Sequence, residues 1–216
     1  MAIKFTDLQG KASKAGPERY KPVDGINRIR IVGPVIPGYK YWLKAKDGSP
    51  IPMDCLSFDR ETEQFTNKKI DYVRKYFPEM KCSWAYQSYV IDREDNNKIK
   101  LFDHKKKLFE QVLHAAKSKL GDPTDPEKGW DIVFTRKKTG PKAFNVEYTL
   151  EVFELQNSPL SEEDMKAFAE ATPLEEVLKL PTPEEQKNFI ETYILGEDEE
   201  EEDVPDELAT DDDIPY

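Results

Sequence analysis

Trp42 stands among Lys40, Lys44 and Lys46, while Tyr39, Tyr41, Leu43 and Ala45 alternate with them. On a strand, that period of two puts an indole and three ammonium groups on one face and an apolar set on the other. Such a face can hold an unpaired nucleic-acid strand: cations meet phosphates, and an aromatic ring stacks a base for about 1–3 kcal/mol. Trp84, Tyr86 and Phe144 offer further rings, and Arg28, Arg30, Lys69, Arg74, Lys100, Lys105, Lys106 and Arg136 further cations. Aromatic residues at alternate strand positions otherwise form core, the expectation for Tyr39, Tyr41 and Tyr148 and an alternative for Trp84 and Phe144.

Other chemistries find less. Asp54, then Glu79 and Lys81 in an acidic-x-Lys spacing, could hold Mg²⁺ and orient a water as in a metal-dependent nuclease, but Pro78 puts Glu79 in a turn. Cys55 and Cys82 are 27 positions apart without a Cys-x-x-Cys pair, and His104 and His114 come later, so no zinc set is expected. Two buried thiols are the expectation for the cysteines. No Gly-rich phosphate loop or Ser/His/Asp order is present, and no cofactor is expected.

The elements that would position these groups can be read from pattern. Residues 26–32 alternate as a strand before Gly33-Pro34 and Pro37-Gly38, which predict turns. Further strands are expected at 39–46, 51–58, 82–92 and 98–102, the last two turned by Asp95-Asn96-Asn97. A short basic helix is predicted over 68–77 and a longer one over 105–120, stopped by Gly121. Strands at 130–137 and 143–154 complete a mainly β body with added helices (α+β), compatible with a small OB-like barrel. Ser161, Thr172 and Thr182 each precede a carboxylate by three residues, which predicts short capped helices over 158–195.

Net charge is −11, but it is unevenly spread. From Ser158 onward 21 acidic residues face three lysines, a net of −18, whereas residues 1–157 carry 29 basic and 22 acidic residues, a net of +7. A basic body with an acidic tail suits a nucleic-acid protein whose tail competes for its groove or recruits others. The expected organisation is a basic flexible arm at 1–24, a single-strand-binding domain at 25–157, acidic helices packed on it at 158–195, and a disordered tail at 196–216. No apolar run is long enough for a membrane helix, so an intracellular protein with no membrane partner is expected. An acidic chaperone or DNA mimic would explain the tail and leave the basic body unexplained.

The chain closes on Asp211, Asp212, Asp213, Ile214, Pro215 and Tyr216, three carboxylates followed by an apolar aromatic hook. This resembles the C-terminal tip of bacterial single-stranded DNA-binding proteins, with Tyr in place of the final Phe, and implies a partner-docking peptide. Ile29-Arg30-Ile31-Val32-Gly33-Pro34, Ser83-Trp84-Ala85 through Val90-Ile91, Lys98-Ile99-Lys100 followed by Lys105-Lys106-Lys107-Leu108-Phe109, and Gly129 to Arg136 with Phe144 follow in order. Their order resembles the single-stranded DNA-binding proteins of T-even-type phages over residues 26–160. That family carries a zinc module absent here, and its tyrosine beside the Trp is Ser83. The resemblance implies sequence-nonspecific binding of single-stranded DNA without catalysis, in replication, recombination or repair, in the cytoplasm of an infected bacterium. Partner enzymes would be recruited by the tip, with the protein monomeric or weakly and cooperatively self-associating.

Overall fold

The computed structural model describes residues 16–142 and 145–196. Phe144 and the tip Asp211 to Tyr216 therefore lie outside the described residues, as do 1–15 of the N-terminal arm.

A five-stranded antiparallel sheet is built around β1 (Gly25–Ile36), in the order β10-β9-β1-β7-β8. Its partners are β7 (Gln87–Asp92), β8 (Lys98–Asp103), β9 (Ile132–Lys138) and β10 (Val146–Leu150). Gly33-Pro34 does not end β1 as expected; the register with β7 shifts between Val32 and Val35, so the pair absorbs the irregularity as a bulge. Gly33 has φ +72, and a Cβ there would lie 2.5 Å from Phe168 Cζ, so both backbone and packing require glycine. A smaller sheet, β3-β2-β6, joins β2 (Tyr39–Lys44), β3 (Pro50–Asp54) and β6 (Ser83–Trp84). The strand expected over 51–58 is divided: β3 ends at Asp54, and Phe58–Asp59 (β4) pairs with Gln64–Phe65 (β5) in a separate hairpin. This mixed α+β architecture is consistent with an OB-like fold.

Alternation along β1 sends Ile29 and Ile31 into a core with Val90, Phe102, Trp130, Ile132 and Phe134. Leu108, Val112 and Ala115 of α2 (Lys106–Ala115) close that core, and residues 116–120 continue the helix with a wider turn. Val32, Tyr89, Ile91 and Leu101 lie in a second cluster with Leu174 and Leu178. The small sheet contributes Tyr41, Leu43 and Met53 to a third, with Val73 of α1 (Tyr72–Tyr76) and Ile190. Lys68 to Asp71 stay outside α1, which starts at the Asp71 cap; the basic helix is shorter than the sequence suggested.

The acidic segment packs on these clusters through α3 (Glu162–Glu170), α4 (Leu174–Val177) and α5 (Pro183–Phe189). Ser161 and Thr182 make reciprocal capping boxes with Asp164 and Glu185, as their spacing predicts. Thr172 does not cap: α4 is a single turn whose N-cap is Pro173. Gln186 is buried, its carboxamide donating to the Asp54 carbonyl at 3.0 Å and accepting from the Tyr72 amide at 2.7 Å.

Both outer edges of the main sheet are occupied. Residues read as part of a loose arm pair with β8, the Leu101 amide donating to the Glu18 carbonyl and the Tyr20 amide to the Leu101 carbonyl. At the other edge the Gln111 carboxamide donates to the Tyr148 carbonyl at 3.1 Å and accepts from the Leu150 amide at 2.9 Å, in place of a neighbouring strand. No helix among the described residues is long and apolar enough to cross a membrane.

Candidate nucleic-acid interface

Between β2, the edge strand β6 and the start of α2 lies a groove of about 690 Å³. Lys40, Trp42, Pro52, Trp84, Ala85, Lys105, Lys106, Lys107 and Tyr148 line it, with Arg19, Asp103 and His104. Trp42 is 55% exposed because its own strand turns Tyr41 and Leu43 inward, and the register sets Pro52 opposite it. Trp84 is half-buried and stacks on Tyr86 with centroids 4.3 Å apart and planes 15° apart. Phe109 braces both rings from α2, at 5.4 Å from Trp84 and 5.5 Å from Tyr86. The stack is therefore held in place before any ligand arrives, which reduces the ordering entropy lost on binding.

Lys40, Lys105, Lys106 and Lys107 make no ion pair among the described residues. Arg19 is different, paired with Asp103 at 2.6 Å with both side chains about half exposed. His104 adds no charge, since burial pushes its pKa down to about 3 and its Nε2 lies 2.8 Å from Ser88 Oγ. Tyr86 stays a neutral phenol, its pKa raised to about 12 by burial and by Glu63, to which its hydroxyl donates at 3.1 Å. The groove thus combines two accessible indoles with uncompensated ammonium groups, a surface on which stacking and phosphate contact can act together.

The sequence-derived residues divide into three sets. Lys40, Trp42, Trp84, Lys105 and Lys106 converge on the groove, and Tyr86 supports it from beneath Trp84. Lys44 and Lys46 remain exposed further along β2 and its turn; the end of the described chain, Gly196, lies against the Lys46 side chain. Lys69 and Arg74 line two separate depressions, Arg28 reaches Glu154 at 3.9 Å, and Arg136 is ion-paired with Asp24.

Arg30 and Lys100 do not face solvent as the strand pattern suggested. Arg30 is fully buried, and its guanidinium donates to the carbonyls of Ser158 (3.1 Å), Asp125 (2.5 Å), Ile31 (3.2 Å) and Pro123. Burial lowers its pKa while nearby Asp131 counteracts. Lys100 is buried beside Asp92 at 2.9 Å and Asp95 at 2.6 Å; burial alone would lower its pKa, but those hydrogen bonds prevail and hold it above the ordinary lysine value. Both cations organise loops. Asp54, one member of the nuclease alternative, faces Arg60 at 3.6 Å, and no group of three metal-ligating side chains occurs among the described residues.

No family model matches the chain. A curated protein of Escherichia phage T5, described as "Probable ssDNA-binding protein", is 29% identical over 213 residues, covering 84% of this chain and 82% of that protein. The chain resembles phage single-stranded DNA-binding proteins.

Tyr148, Arg19 and Pro52 line the groove but were not assigned to a binding face from sequence, and Lys107 lines it too. Lys107 belongs to the Lys105 to Lys107 run and was legible there, whereas Tyr148 carried only the alternation of a core strand. Arg19 is brought to the groove by the pairing of its segment with β8, which no local pattern announces.

Proposed function

We propose that this protein binds single-stranded DNA without regard to sequence, coating and protecting exposed strands during phage replication, recombination or repair. The observation that carries this reading is the groove, in which Trp42 and Trp84 stand beside Lys40 and Lys105 to Lys107. The phage T5 relative's description supports it. Bases stack on the indoles, phosphates lie along the ammonium groups, and released counterions supply much of the affinity. The protein performs no chemistry in this account and works in the cytoplasm of an infected cell.

The domain organisation belongs to the same proposal: residues 25–157 hold the strand, the acidic helices of 158–195 pack on that body, and the acidic tail recruits replication, recombination or repair proteins through Asp211 to Tyr216. Between partners, that tail competes with DNA for the groove. Its net charge and the position of Gly196 against Lys46 support this.

The test is a titration of polypyrimidine single strands and of duplex of equal length at two salt concentrations. Strong preference for the single strand, with log affinity falling by about 0.7 per bound phosphate for each tenfold rise in salt, is expected. Equal affinity for duplex, or affinity unmoved by salt, would refute the reading.

A further inference from the structure

Outside the groove, Phe65 is 54% exposed on the β4–β5 hairpin. Its ring is braced on one side by Tyr39, centroids 4.9 Å apart, and by Phe58 at 5.3 Å, which leaves the rest of an immobilised ring open to solvent. With Arg74 and Lys81 it lines a depression of about 270 Å³, and neither cation has a carboxylate partner among the described residues. A large ring held rigid, left in water and flanked by two unpaired cations repeats the chemistry of the groove.

Two features connect the places. Tyr39, which braces Phe65, is the register partner of Trp84, so one cross-strand pair lies between the exposed ring and the groove. At the hairpin turn Glu63 adopts φ +51, a left-handed conformation that costs a non-glycine residue energy, and its carboxylate accepts from the hydroxyl of Tyr86 beneath Trp84. The hairpin is thereby fixed to the aromatic stack.

We propose that a bound single strand leaves the groove over β6 and continues onto this second subsite, where Phe65 stacks a base and Arg74 and Lys81 hold the flanking phosphates. The proposal rests on the single-strand reading and extends it: the ligand here is a further nucleotide of the same strand, so the subsite is engaged only by strands long enough to reach it.

Anisotropy titrations of the full chain with short (~5 nucleotides) and long (~15 nucleotides) oligothymidylates, lengths within the range one such domain covers, test this. Phe65→Ala is expected to weaken the long strand about 5- to 150-fold and leave the short strand unchanged. Arg74→Glu with Lys81→Glu, both at exposed positions, is expected to lower the salt slope for the long strand alone, by about 0.7 for each phosphate no longer held. Equal effects at both lengths, or none at either, would overturn the subsite. Trp84→Ala serves as the separate control: weaker binding at both lengths retains the groove whatever Phe65 does, whereas unchanged binding at both lengths removes the groove reading itself.

Discussion

On the flank formed by α3–α5 buried polar groups find their partners within the chain, whereas in the groove four lysines and Trp42 have no ion-pair or ring partner among the described residues. Arg93 holds buried Asp164 at 3.1 Å, Arg60 donates to the Leu178 carbonyl at 2.6 Å, and the Tyr89 hydroxyl donates to the Thr172 carbonyl at 2.9 Å. Lys40, Lys105, Lys106 and Trp42 are the same kinds of residue, yet among the described residues none of them has a carboxylate or ring as partner. The difference teaches that residue type does not separate scaffold from binding surface here. What separates them is whether the fold supplies the counter-group, since an internally satisfied charge has little left to offer a ligand.

The most severe way to sharpen this contrast is Arg30→Ala. It removes the guanidinium that ties carbonyls of three segments together in the interior and is expected to reduce stability by about 3–5 kcal/mol, measured by urea unfolding, while the folded fraction keeps its affinity for single strands. Unaltered stability with abolished binding would reverse the assignment of Arg30 to the scaffold. Trp84→Ala should do the opposite, weakening single-strand binding by about 1–3 kcal/mol in anisotropy titrations.

Acid offers a third approach through His104. Its folded pKa lies near 3, below the ordinary value of 6.5, so the folded state takes up fewer protons than the unfolded chain between those values. Its stabilising contribution is therefore complete above pH 6.5 and declines as pH falls towards 3, by at most about 1.4 kcal/mol per pH unit. Urea midpoints compared between the wild-type protein and His104→Gln should show a shallower acid decline in the variant; parallel curves would contradict a buried neutral imidazole. The smallest effect is expected from Lys106→Ala, which should leave unfolding unchanged and lower the salt slope of single-strand binding by about 0.7. A large drop in stability there would erase the distinction between groove and flank.

How far the sequence showed this depends on distance along the chain. β2 was legible because alternation is local, and the Ser161 and Thr182 capping boxes because three residues span them. The lysines that α2 brings to the groove were legible as a run at a helix start. Arg30 was not: its alternation with Ile29 and Ile31 matches a solvent-facing side chain, and its burial depends on Ser158, 128 residues later, and on the loop at Pro123 and Asp125. Lys100 shows the same limit at shorter range, since the turn that delivers Asp95 to it was read as a turn without its charge being assigned a partner. For Gly33-Pro34 the local signal was real but its outcome differed, because a neighbouring strand can absorb a misfit as a bulge.

The carboxamide of Gln111, standing where another strand's peptide group would go, bears on how copies of this protein can be neighbours. An open sheet edge is a template for any extended chain, and proteins set side by side along one polymer meet at far higher local concentration than in dilute solution. With β8 occupied by the segment around Arg19 and β10 met by Gln111, neither end of the five-stranded sheet offers an adjacent copy an open ladder. At the two ends of that sheet, high local concentration alone supplies no ladder by which one copy could lock onto the next.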